Sequence, residues 1–211
     1  MPNVGTGLWL RAGKVRRALS IARRAKARRR WVPGLPEMLE GRALMATVGA
    51  DYVLTGNRWA DTHITFSFAP DGVTWGQGTN NLNAVFDARF GAGNWERQVA
   101  RALATWESVA AINFSQVADS PLPEGTSGQE QGDPRFGDIR FGGYAFANDT
   151  TTLAQTYFPP PGGSTIEGDV EVNTGMNFNI GSDYDVYSVL LHETGHALGL
   201  DHTTNPAVVM Y

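Results

Sequence analysis

The sequence predicts a domain of the α+β or α/β class with a single sheet. Two observations carry this. Short segments rich in β-branched and aromatic residues recur between Thr62 and Thr174. Two longer segments space their apolar residues as helices do, one among the early strands and one after the last.

Taken in order, Thr62–Ala69 (THITFSFA) alternates and reads as a strand. Residues 70–81 are rich in Gly and Asn and read as loop. From Trp95 to Ala110, Val99, Leu103, Trp106 and Ala110 fall at helical spacing, with Asn94 as the expected N-cap. Ile112–Val117 and Asp138–Gly142 read as short strands, separated by the polar loop 119–134. Thr152–Phe158 and Asp169–Thr174 are further strands on either side of Pro159-Pro160-Pro161-Gly162-Gly163. Tyr184–Leu200 is the last helix, ended by Gly199.

The 211 residues suit one domain of ordinary size with a separate head. There is no cysteine, which excludes disulfides, thiolate metal sites and cysteine nucleophiles. Residues 11–30 hold ten basic residues and no acidic one. From Ala43 onward, six Arg and no Lys face nineteen Asp and Glu, leaving a net charge of −13. The body is therefore a poor partner for nucleic acid or anionic membranes, and no apolar run reaches transmembrane length. We read residues 1–48 as a basic targeting or propeptide-like segment and residues 50–211 as the domain proper. A basic arm that tethers the chain to an anionic surface or to nucleic acid is the alternative for the head. The run Leu39-Glu40-Gly41-Arg42-Ala43-Leu44-Met45-Ala46 resembles N-terminal segments of some bacterial secreted and surface proteins. The expected location is thus outside the cell or on its surface.

The chemistry is concentrated in His192-Glu193-Thr194-Gly195-His196-Ala197-Leu198-Gly199-Leu200-Asp201-His202. On a helix, His192 and His196 are separated by about 40° in angle and one turn in height, so both rings reach one ion. Neutral imidazole is a good zinc ligand, and a catalytic zinc takes three protein ligands and a water. A straight helix cannot supply the third ligand. Gly199, free to take a positive φ, ends the helix and lets His202 approach from the other side. Glu193, beside the first ligand, is the expected general base for the attacking water. Met210, eight residues after His202, supplies an apolar floor. An isolated HExxH pattern arises by chance, but here three of the chain's four histidines fall in this one segment. His63, the fourth, reads as an ordinary strand residue.

This segment with its later methionine resembles the metzincin signature, and the chain is most similar to the matrixin branch, in its bacterial form. The likeness covers about residues 56–211: Arg58-Trp59, Ala102–Phe114 (ALATWESVAAINF), Asp138-Ile139-Arg140-Phe141 and the LLHETGHALGLDH run. The resemblance implies an α+β, zincin-like fold: one twisted mixed sheet, a long N-terminal helix and an active-site helix carrying HExxH. It implies a secreted zinc endopeptidase acting on extended protein or peptide substrates, expected as a monomer. The family's edge strand, "LAHAFxP", is matched by Leu153-Ala154-Gln155-Thr156-Tyr157-Phe158-Pro159. By that likeness the backbone of Leu153 and Ala154 pairs with substrate.

Departures set further expectations. Gln155 and Glu171 stand where the family has structural-zinc histidines, so one catalytic zinc is expected and the second zinc is not. Asn173 and Met176 stand where it has calcium carboxylates; Asn173 can still offer a carbonyl and Met176 cannot, which leaves calcium an open expectation. The sequence ends at Tyr211, just after the methionine, where matrixins continue into the outer wall of the S1′ pocket. We therefore expect a fragment of a longer chain. The rival expectation is a zinc-holding surface or binding module with an incomplete pocket and no turnover.

Overall fold

The structure is a computed structural model that describes residues 8–11 and 52–211. The boundary expected near residue 49 and nearly all of the basic head lie outside the described residues. A short strand β1 (Leu8–Arg11) comes first, then β2 (Val53–Leu54), β3 (His63–Phe68), β4 (Thr74–Trp75) and β5 (Gly78–Thr79). Helices α1 (Leu82–Phe90) and α2 (Asn94–Glu107) lead to β6 (Asn113–Gln116), β7 (Ile139–Tyr144), β8 (Thr152–Thr156) and β9 (Val170–Asn173). Helix α3 (Val186–Ala197) and β10 (Leu200–Asp201) close the chain.

The main sheet runs β1-β8-β9-β7-β3-β6. Pairs β3–β6, β3–β7 and β7–β9 are parallel, whereas β8–β9 and β1–β8 are antiparallel. The fold is therefore α+β with a mixed sheet. Alternation in β3 sends Ile64 and Phe66 into the core with Phe141 of β7, Val170 and Val172 of β9 and Val189 and Leu190 of α3. Helix α2 buries Trp95, Val99, Ala102, Leu103 and Trp106. Each large apolar side chain so buried contributes about 1.5–3 kcal/mol. Trp106 Nε1 donates to Leu191 O at 3.0 Å and Trp59 Nε1 to Ala197 O at 2.8 Å, fixing α3 along its length and at its last turn.

A second layer forms round Trp75 and Tyr144. Alternation turns Arg140 away from the main core. Its guanidinium lies 4.9 Å from the Trp75 ring and 4.6 Å from Phe136. It also grips Asp119 with two bonds, Nε–Oδ2 at 2.9 Å and Nη2–Oδ1 at 2.7 Å. The long polar loop is thereby tied to β7.

Three details differ from the sequence reading. Residues 70–81 contain the β4–β5 hairpin. Residues 82–90 form α1, which buries Leu82 and Phe86 with Val85 and Phe90 packed beside them, and whose nine residues give only a short run in which to read a period. Asn94 is the first residue of α2 and not its cap; Gly93 precedes the helix, and the Asn94 amide donates back to Phe90 O at 2.6 Å.

Candidate metal centre

Helix α3 starts at Asp185, whose side chain accepts from Ser188 N at 3.1 Å and Ser188 Oγ at 2.9 Å. The helix carries His192, Glu193 and His196 into the interior, at 2%, 0% and 0% exposure. Gly199 then takes φ +91°. A Cβ there would lie 2.3 Å from Asn57 O, so the turn needs glycine for space as well as for conformation. The turn is clamped by the segment after β2: Thr55 N and Thr55 Oγ1 both donate to Gly199 O at 2.9 Å. Strand β10, paired with β2, follows and delivers His202.

The three imidazoles meet. His192 Nε2 is 3.0 Å from His196 Nε2 and 3.1 Å from His202 Nε2. The outer nitrogens explain the arrangement. His192 Nδ1 lies 2.7 Å from Val209 O, and His196 Nδ1 lies 2.7 Å from Leu200 O. A carbonyl only accepts, so each Nδ1 carries the proton and each facing Nε2 presents a lone pair. Two bare nitrogens this close repel unless a cation or proton lies between them. Among the described residues this is the one group of His and carboxylate side chains with metal-holding geometry. The residues fit a zinc ion: neutral nitrogen donors, three of them, with carbonyl partners behind two. Burial pushes the His196 ring down to about 4, which keeps it neutral.

Met210, wholly buried, lies under α3, and Met210 O accepts from Thr203 N at 2.8 Å. The turn carrying the methionine thus also supplies the Val209 carbonyl. Glu193 Oε2 accepts from Thr156 Oγ1 at 2.7 Å, while its Oε1 is buried with no hydrogen-bond partner among the described residues. Burial pushes the Glu193 carboxyl up to about 8, against the opposing pull of the Thr156 hydroxyl. The sequence reading missed Thr156 and the Val209 and Leu200 carbonyls. Thr156 carried a signal, since the edge-strand pattern has alanine there; the carbonyls carried none.

Leu153 and Ala154 lie buried in β8. One edge of that strand pairs with β9, Ala154 opposite Val172. The other edge, which the resemblance assigned to substrate, pairs with β1, Leu10 opposite Ala154 and Leu8 opposite Thr156. His63 stands exposed at the start of β3, with Nε2 2.9 Å from Ser115 Oγ. On the far side of β8, Gln155 Nε2 donates to Glu171 Oε2, which Tyr144 OH also reaches at 3.0 Å, and Tyr157 OH lies 3.2 Å from Glu171 Oε1. Asn173 uses both ends of its amide to close the β7–β8 loop, its Oδ1 accepting from Phe146 N at 3.0 Å and its Nδ2 donating to Thr152 O at 2.9 Å. Met176 is buried in the core.

A mixed sheet behind an HExxH helix, a glycine turn and a methionine floor is the architecture of the metzincin class. Within it, residues 85–211 match the matrixin peptidase family, and the chain belongs to that family. It is 28% identical over 181 residues to mouse (Mus musculus) matrix metalloproteinase-16, covering 84% of this chain and 27% of that protein. It is 27% identical over 162 residues to karilysin of Tannerella forsythia, covering 76% of this chain and 30% of karilysin. With metalloendoproteinase 2-MMP of Arabidopsis thaliana it shares 27% identity over 187 residues, 84% of this chain and 47% of the plant protein. The chain thus spans less than half the length of these relatives. Among the described residues no helix is long and apolar enough to cross a membrane.

Proposed function

We propose that this chain carries the catalytic domain of a zinc-dependent endopeptidase that cleaves extended protein substrates outside the cell or at its surface. The observation that carries the reading is the triple imidazole centre, with His192 and His196 each fixed by a carbonyl so that its bare nitrogen faces inward. His192, His196 and His202 would hold the ion. The ion would supply Lewis acidity there, lowering the pKa of a water and polarising the scissile carbonyl. Glu193 supplies the proton acceptor: its Oε1 takes the proton of the attacking water and returns it to the departing amine, so that one water adds across one amide bond. The Glu193 carboxyl is buried and its pKa lies near 8 before any cation is nearby. A cation close by lowers it and restores the ionised base.

The partner is a polypeptide in strand form. Family membership supports this, and so does the antiparallel seating of β1 on β8, which is main-chain pairing of the kind an extended substrate would use. The same seating favours a second reading, a metal-holding module whose cleft is closed to substrate. One experiment separates the two. Zinc content and cleavage of an unfolded protein are measured for the full chain, for residues 50–211 and for Glu193→Ala of each. One zinc per chain with cleavage abolished by Glu193→Ala supports the endopeptidase. Zinc without cleavage in both lengths overturns it in favour of the module.

A further inference from the structure

We propose that Thr156 is a positioning residue for Glu193, holding one carboxylate oxygen so that the other is the single free proton acceptor of the site. The inference rests on the reading of Glu193 as general base.

The geometry is a strut between sheet and helix. Thr156 is the last residue of β8 and is fully buried, and Glu193 sits in the middle of α3 at 0% exposure. Thr156 Oγ1 donates to Glu193 Oε2 at 2.7 Å. Glu193 Oε1 is left without a partner among the described residues. The two ends of the strut differ in stiffness. A threonine is β-branched and restricted at χ1. Its backbone is paired to β9 opposite Val170 and to β1 opposite Leu8, so the hydroxyl is fixed in space. A glutamate has three side-chain torsions, and the last is broad and roughly two-fold. Without that donor neither carboxylate oxygen has a hydrogen-bond partner among the described residues, and no polar contact selects which of the two faces the reaction. With the donor, one oxygen is occupied and the orientation is set.

The hydroxyl is also a feature of this chain. The matrixin edge-strand pattern carries alanine at this position, and alanine offers no donor. A purely structural threonine in a sheet interior would satisfy its hydroxyl on a nearby carbonyl. This one crosses 37 residues of sequence to a carboxylate.

The test compares Thr156→Val, Thr156→Ser and Thr156→Ala in the full chain loaded with zinc. Thr156→Val removes the hydroxyl at nearly constant shape. It should lower kcat by about 10- to 100-fold, the size expected for a hydrogen bond to a charged group, with KM and zinc content unchanged. Thr156→Ser should recover most of the loss, and Thr156→Ala should behave as valine does, which keeps the test open if valine impairs folding. A second readout needs no activity. In the metal-free protein, Thr156→Val should lower the unfolding midpoint when Glu193 is present and not in Glu193→Ala. Equal kcat for all variants in an active enzyme overturns the proposal, as does an equal midpoint shift with and without Glu193. If the wild-type chain binds zinc and does not cleave, the proposed function fails by itself, and the unfolding cycle still decides whether the hydroxyl holds the carboxylate.

Discussion

The sulfur of Met210 occupies the space beside Gly195: a Cβ built on Gly195 would lie 2.3 Å from Met210 Sδ and 3.0 Å from Trp106 Cζ2. Gly195 lies inside α3, between Glu193 and His196, where glycine weakens a helix by about 1 kcal/mol relative to alanine. The close approach of the methionine turn explains why it is there. Gly195→Ala should gain that helix propensity and lose more to overpacking, about 1–3 kcal/mol. The expected result is a lower unfolding midpoint and weaker zinc retention against a chelator, because the methyl pushes away the turn that carries Val209, the carbonyl partner of His192. Unchanged zinc affinity would mean that the turn yields without moving the ligand.

Acid should destabilise the metal-free protein through His196. Its folded value of about 4 lies below the ordinary 6.5, so between those values the unfolded chain binds a proton that the folded chain refuses. The unfolded state then holds more protons, and stability falls as pH falls through that window; above 6.5 the penalty is absent. Glu193 acts with the opposite sign, since its value raised from 4.5 to about 8 makes stability fall as pH rises between them. Burial also raises the Glu124 and Asp169 carboxyls, which add slopes of the same sign as Glu193. The measurement is therefore the difference in thermal unfolding against pH between chelator-treated Glu193→Gln and the same protein carrying His196→Asn as well. The double variant should lose less stability than Glu193→Gln as pH falls from about 6.5 to about 4, and equal losses would mean that His196 is not the group responsible.

The loop on the far face depends on a buried ion pair. Arg140 and Asp119 side chains are 1% and 2% exposed. Asp119 also accepts from Ser67 Oγ at 2.6 Å. Asp119→Ala leaves a guanidinium buried without its partner and should destabilise by about 3–5 kcal/mol, read as a large drop in the unfolding midpoint. Replacing both partners, with Asp119→Leu and Arg140→Met, should recover much of that loss. A double variant no better than the single one would mean that the guanidinium contacts with Trp75, Phe136 and the loop carbonyls matter more than the charge pair.

The sequence made the sheet and its two principal helices legible because burial there is periodic. β3 alternates, and α2 repeats Val99, Leu103 and Trp106 on one face. Helix α1 was silent because it is nine residues long: Leu82, Val85, Phe86 and Phe90 all pack inward, but about two and a half turns set only a short period beside the Gly- and Asn-rich loop before it. The cap of α2 was misplaced because Asn94 looks like a cap, yet its amide turns back to Phe90. At the candidate metal centre the convergence of His192, His196 and His202 could be read from their spacing, since few residue types suit a metal. Their supports could not: the Val209 and Leu200 carbonyls belong to no residue type, and the clamp on Gly199 comes from Thr55, 144 residues away in sequence. The pairing of Leu8–Arg11 with β8 is equally long-range, and nothing local in those four residues announces it.

That pairing makes the last prediction. The edge of β8 has one set of outward backbone groups, and β1 uses it in antiparallel register from Leu8 opposite Thr156 to Arg11 opposite Thr152. An extended substrate added at the same edge needs the same N–H and C=O groups, so the two exclude each other. A tethered competitor acts at an effective concentration set by its link and independent of the protein concentration, so it competes with substrate even where the free strand would bind weakly. Removing residues 1–11 should therefore lower the KM for an unfolded protein substrate and leave kcat nearly unchanged, because the competitor blocks binding and not the chemistry. A synthetic peptide of residues 1–16 added to the shortened protein should inhibit competitively, and a scrambled peptide of the same composition should not. Salt separates this from simple charge attraction by the basic head: main-chain pairing should persist at about 0.5 M salt, whereas attraction between exposed charges is screened within a few ångström at such ionic strength. If the shortened and full-length chains share one KM, β1 does not hold the edge in solution and β8 is open to substrate from the start.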